Sequence, residues 1–203
     1  MGFYSRYVLP RLVDHVCSRR THMKQREKVV PLAEGRVLDV GFGTGLNLTC
    51  LDREKVSRLW ALDPSAESFE LARRAVDLSG IETEYLEAGA ESIPLESASV
   101  DSIIVTYSLC SIADRLTALG EMRRVLVEGG HIFFCEHGLA PDPGPRRWQQ
   151  RLSPVWKTFS GGCELTVDVP SLLREGGFEV EWMDTMYLSG FRPASFNYWG
   201  AAR

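Results

Sequence analysis

The chain has 203 residues, of which 44% are hydrophobic and 25% charged, with a formal net charge of −4. That length suits one α/β domain with a buried core, and the negative balance excludes general nucleic-acid binding by charge. No apolar run reaches the roughly 18 residues that a membrane span needs, no secretory signal is visible, and five cysteines without a Cys-x-x-Cys pair predict reduced thiols in a cytoplasmic setting.

The elements follow in order. Residues 1–33 hold seven Lys/Arg and two Asp/Glu, a net of +5 that leaves −9 for the rest. Helices are predicted near 3–30 with a break at Pro10, forming an N-terminal helical arm that acts as a lid. Its cations Arg19, Arg20, Lys24, Arg26 and Lys28 surround Val13, Val16 and Met23, so peripheral contact with an anionic membrane is also open to it,. Tyr4 and Tyr7 are candidates to close over the ligand site.

Residues 36–41 read as a buried strand,. It runs into Gly41, Phe42, Gly43, Thr44 and Gly45, and a helix is expected over 45–54. Glycines between a strand and a helix let a ligand approach bare backbone. A dinucleotide site wants Gly-x-Gly-x-x-Gly, but the sixth position here is Leu46. Asp39 argues the same way. A carboxylate beside a pyrophosphate is repelled by roughly 4 kcal/mol per charge pair at 4 Å, whereas it attracts an amino group or a sulfonium. A second strand, 58–63, ends in Asp63, which is placed to accept both ribose hydroxyl protons or to cap the helix beginning at Pro64,.

Further helices are expected at 65–79, 114–127 and 168–176, and further strands at 82–87, 100–106, 130–136, 178–187 and 195–202. This alternation, closed by a hairpin, predicts an α/β doubly wound sheet with one reversed strand, in one domain over 1–203. Residues 138–166 break the alternation after the fifth strand, at the carboxyl edge where open sheets bind ligands,. Trp148, Leu152, Val155, Trp156 and Phe159 recur at helical spacing,. The segment is read as a cover whose Trp148 and Trp156 line the acceptor pocket. The four histidines show no zinc spacing,. Cys135 and His137 share a strand face and are read as structural, Cys110 and Cys163 as packing residues, and no metal is expected.

With these motifs the chain resembles the class I S-adenosylmethionine-dependent methyltransferases. Residues 37–45 match the first family motif and Leu62-Asp63-Pro64 the second. Residues 88–95 resemble the adenine-side loop, 100–106 the fourth strand, and 119–130, with Glu121, Arg123, Arg124, Gly129 and Gly130, the helix and turn before the fifth. The resemblance implies a Rossmann-like seven-stranded sheet and S-adenosylmethionine as cofactor, released as S-adenosylhomocysteine. It implies a cofactor site of Asp39, Gly41, Phe42, Gly43, Gly45, Asp63, Pro64, Ala90, Glu91, Thr106 and Tyr107. Gly89 departs from the pattern, standing where many relatives carry an Asp that reaches the adenine amino group.

Ser108-Leu109-Cys110-Ser111, Glu136-His137, Trp148-Gln149-Gln150, Pro154, Trp156-Lys157, Gly162-Cys163 and Leu165-Thr166 resemble the small alkyl-thiol methyltransferases. Those relatives begin with an apolar anchor, which is not seen here, so a soluble or peripheral protein is expected. The resemblance implies a small-molecule acceptor, a thiol first. A thiol needs modest help in losing its proton, for which His137 is the candidate, with Tyr107 bordering the transfer site. An oxygen or carbon methyltransferase on an apolar metabolite such as a quinone precursor remains open. So does a non-catalytic cofactor-binding or membrane-surface protein.

Overall fold

The computed structural model describes residues 14–203. Tyr4 and Tyr7 lie outside them. Helix α1 (Arg20–Val29) leads through a short 3-10 turn into β1 (Gly35–Val40). There follow β2 (Val56–Leu62), α2 (Ala66–Ser79), β3 (Thr83–Leu86), β4 (Val100–Thr106) and α3 (Arg115–Val125). The rest comprises β5 (Leu126–His137), α4 (Pro143–Phe159), α5 (Val169–Glu175), β6 (Val180–Tyr187) and β7 (Phe196–Ala202).

The seven strands form one sheet in the order β3-β2-β1-β4-β5-β7-β6. Pairings from β3 across to β5 are parallel, and β7 runs antiparallel to both β5 and β6. This is the expected doubly wound sheet with one reversed strand. The central strands are buried on both faces, which is why they read as apolar runs. Leu38, Ile103, Ile132 and Phe134 pack under Leu119, Met122 and Leu173 on one face. Val37, Leu59, Ile104 and Phe133 pack with Val29, Val30 and Ala72 on the other. Asp39 alternates with Leu38 and Val40, so it falls on the second face, beneath α1.

Two elements differ from expectation. The helix over 45–54 is only a 3-10 turn, Leu46–Thr49, because Gly45 is left-handed (φ +79°) and the chain turns directly. Strand β5 starts four residues earlier than expected, at Leu126, because Val100 and Ser99 pair with the end of α3. Among the described residues no helix is long and apolar enough to cross a membrane.

Helix α2 begins at the Ser65 side chain, which accepts from Ser68 N at 3.2 Å, and stops at the left-handed Gly80. The cap is therefore Ser65 rather than Asp63. Ser65→Ala is expected to cost about 1 kcal/mol in denaturant unfolding; an unchanged midpoint would mean that solvent replaces the cap.

Candidate functional site

The site lies at the carboxyl ends of β1, β2 and β4. Gly41, Gly43 and Gly45 all have positive φ. At Gly41 an added Cβ would stand 2.2 Å from Ser108 Oγ, so no side chain fits there. At Gly43 an added Cβ would meet only Gly41 O, at 3.8 Å, which leaves the backbone bare on its outer side. Phe42, between them, turns its ring into the core against Phe69, 6.0 Å between centroids. This leaves its backbone, rather than its ring, to face a ligand.

Asp63 accepts from Gly43 N and Ser65 N, both at 2.8 Å. It thereby ties the glycine loop to the start of α2 while staying partly exposed at the sheet edge. Burial raises its carboxyl above the usual range, against these two bonds. Pro64 is exposed and points away from the core. Tyr85 stacks on Phe69 at 4.2 Å and donates to Asp63 O at 2.7 Å.

Asp39 is fully buried, and both its oxygens accept from Asn47 Nδ2 at 3.0 Å. Burial pushes its carboxyl up to about 7, against the pull of Asn47 and Arg26. It thus acts on the loop through Asn47. The same Asn47 amide also bonds Thr106 Oγ1 at 3.0 Å and accepts from Arg26 Nε at 3.1 Å. Asn47 and Arg26 escape a reading of the sequence: one sits in an expected helix, the other in a basic surface stripe. Arg26 is 4% exposed, donates to Cys17 O and lies 4.8 Å from the Tyr107 ring centre. It cannot serve as a membrane-facing cation, and Lys28 lies over the Trp199 ring at 3.5 Å; Arg19, Arg20 and Lys24 are exposed.

Tyr107 is left-handed (φ +56°), a conformation worth roughly 1–3 kcal/mol of strain in a non-glycine residue. Its hydroxyl donates to Asn197 Oδ1 at 2.7 Å and its ring meets His22 edge-on at 5.2 Å. Ala90 is buried. Glu91 turns back so that its Oε2 lies 2.8 Å from the place a Cβ on Gly89 would occupy. A carboxylate thus stands beside the position where the family pattern has an Asp. The Glu121–Arg124 pair clamps this loop: Glu121 accepts from Ile93 N, and Arg124 donates to Ile93 O and Leu95 O.

At the end of β5 the neighbours Glu136 and His137 part company. Glu136 accepts from Ser108 N and Leu109 N, and burial pushes its carboxyl up to about 7. His137 Nε2 instead meets Cys163 Sγ at 3.0 Å, and Cys110 is close by. Burial alone would lower the imidazole, but the Cys163 charge and hydrogen bond carry it up to about 9. The Cys163 thiol is lowered by hydrogen bonding from Cys110 and by His137.

Trp148 is 55% exposed on the outer side of α4, which corrects its assignment to the pocket wall. The buried residue is its neighbour Gln149, which accepts from Ala140 N and donates to Gly138 O. Trp156 is partly buried against the core and acts on Cys163.

A glycine cradle beside a carboxylate at the end of the neighbouring strand, on this strand order, is a Rossmann-like arrangement. Residues 38–134 match the methyltransferase domain family. The chain is 32% identical over 166 residues to thiol S-methyltransferase TMT1B of Homo sapiens, covering 73% of this chain and 65% of that protein. It is 30% identical over 130 residues to demethylmenaquinone methyltransferase of Thermus thermophilus, covering 62% of this chain and 59% of that one. The match thus spans less than two thirds of either relative's length. A solved S-adenosylmethionine-dependent methyltransferase of Leishmania major shares the fold with a TM-score of 0.72 at 18% identity, over 98% of this chain and 80% of that chain. The chain is therefore similar over residues 38–134 to the methyltransferase domain family, and over 166 residues to a thiol S-methyltransferase.

Proposed function

We propose that the protein transfers a methyl group from S-adenosylmethionine to the sulfur of a small thiol. The observation that carries this reading is the cluster of His137, Cys163 and Trp156 at the carboxyl end of β5, next to the glycine cradle. Similarity to thiol S-methyltransferase TMT1B supports the choice of sulfur. The cradle fits the cofactor: bare backbone at Gly43 beside the Asp63 carboxylate accommodates a ribose and its chain.

In this reading Asp63 accepts the ribose hydroxyls and Glu91 accepts the adenine amino group in place of the residue absent at Gly89. Arg26 faces the cofactor carboxylate, and Asn47, held by Asp39, sets the methionine end. Tyr107 and His137 border the acceptor, Trp156 supplies apolar wall, and α1 serves as the lid. S-adenosylmethionine, when bound, supplies an electrophilic methyl. The acceptor sulfur's lone pair forms the new S–C bond, the sulfonium S–C bond breaks onto S-adenosylhomocysteine, and the thiol proton leaves to solvent. The protein contributes alignment and exclusion of water.

Incubation with methyl-labelled cofactor and a panel of alkyl thiols, aryl thiols and phenols tests this. Labelled thioether is expected from the thiols. Turnover of phenols with no thiol turned over would replace the reading with an oxygen or carbon methyltransferase, which similarity to the Thermus enzyme favours.

A further inference from the structure

Cys110, His137 and Cys163 come from three segments: the loop after β4, the end of β5 and the turn after α4. One ligand atom from each lies within 4.8 Å of the other two. The backbone braces this arrangement independently of the cysteines. Glu164 N donates to Cys110 O at 2.9 Å. Arg115 donates to Leu109 O, Cys110 O and Glu164 Oε2 at 2.7, 3.1 and 2.8 Å. Both cysteine-bearing loops are therefore held together by one guanidinium.

The surroundings are unsatisfied. Four buried side-chain polar atoms lack a hydrogen-bond partner among the described residues, and three of them are Glu136 Oε2, His137 Nδ1 and Trp156 Nε1. All three residues act on Cys163 or are acted on by it. Trp156 Nε1 is directed to the Cys163 sulfur, which leaves Glu136 Oε2 and His137 Nδ1 as buried polar atoms without a partner beside the cluster, where such atoms are ordinarily paired.

We propose that Cys110, His137 and Cys163 bind a divalent cation of the zinc class through two thiolates and one imidazole nitrogen, with a fourth position open. Two sulfurs and a ring nitrogen suit Zn²⁺ or Co²⁺ and reject Mg²⁺. Three protein ligands with an open place are the pattern of reactive zinc, whereas structural sites close with four. Ligand bonds of about 2.0–2.3 Å place donors roughly 3.5–3.8 Å apart. The His137–Cys163 contact of 3.0 Å thus opens by about 0.5 Å on binding, and the widest separation, at most 4.8 Å, closes by up to about 1 Å,. His137 is partly exposed, while both cysteines are buried. Cation binding stands apart from the acceptor. Its further role, holding an acceptor sulfur as thiolate in the open position, rests on the thiol reading above.

The test uses reduced, chelator-stripped protein with Zn²⁺ and Co²⁺ alone as probes. One Zn²⁺ per chain is expected, together with a thiolate-to-cobalt charge-transfer band. Affinity should fall by at least roughly tenfold in Cys110→Ser and in Cys163→Ser, and stay unchanged in Cys50→Ser. Cofactor binding by calorimetry confirms that each variant is folded. Should a variant fail to fold, the cobalt spectrum of the wild type decides: a thiolate-to-cobalt charge-transfer band is expected, and Zn²⁺ is expected to abolish it. No uptake by the reduced protein, uptake unchanged in the Cys110→Ser/Cys163→Ser double variant, or cobalt uptake without a thiolate band overturns the site. Cation binding without turnover of any thiol removes the thiol reading and leaves the site. Equal thiol turnover by metal-free and loaded protein removes the cation's role in transfer.

Discussion

Asp63→Ala is expected to weaken S-adenosylmethionine binding by about 10- to 150-fold in calorimetry, the equivalent of roughly 1.5–3 kcal/mol for losing a charged hydrogen-bond acceptor. Two effects act together. The ribose loses its carboxylate, and Gly43 N loses the partner that holds the loop at 2.8 Å. Asp63→Asn separates them, since an amide oxygen retains one acceptor without the charge. It should sit between wild type and alanine. Affinity unchanged in both variants would reduce Asp63 to a turn-former that holds Ser65 N.

The second large effect concerns Asp39 and pH. Its carboxyl titrates near 7 in the folded chain because it is fully buried, against about 3.9 in an unfolded one. Between those values the native state holds a proton that the unfolded chain has released, so stability falls as pH rises from about 4 to 7 and is level above. Three pKa units correspond to about 4 kcal/mol. Subtracting the pH profile of Asp39→Asn from that of the wild type, by denaturant unfolding without cofactor, isolates this one group. A difference that does not change with pH would mean that Asn47 and Arg26 keep the carboxylate ionised throughout.

Much of the fold was legible because central parallel strands carry apolar runs, as 36–41, 58–63 and 100–106 do with Val37-Leu38, Leu59-Trp60-Ala61-Leu62 and Ile103-Ile104-Val105. The glycine loop was legible because the register of Gly41, Gly43 and Gly45 and the acids at 39 and 63 report chemistry locally. The helix expected after Gly45 failed because apolar spacing is satisfied equally by a short turn when the backbone needs Asn47 inside the site. Periodicity locates α4 but not its rotation, so it points to Trp148, whereas the inward residue is Gln149. Arg26 looked like surface charge because nothing local distinguishes a cation under a tyrosine ring from one in water. The Cys110–His137–Cys163 cluster has no short spacing to read, since His137 and Cys163 alone are 26 residues apart.

The N-terminal arm touches the cofactor loop at two points, Asp14 on Thr44 and Arg26 on Asn47. On the function proposed above, a cofactor held by this loop lies beside both contacts, which link its release to the arm. Weakening the Asp14–Thr44 contact by Asp14→Asn is then expected to speed the release of S-adenosylhomocysteine, and an unchanged release rate would mean that the arm does not hold the product.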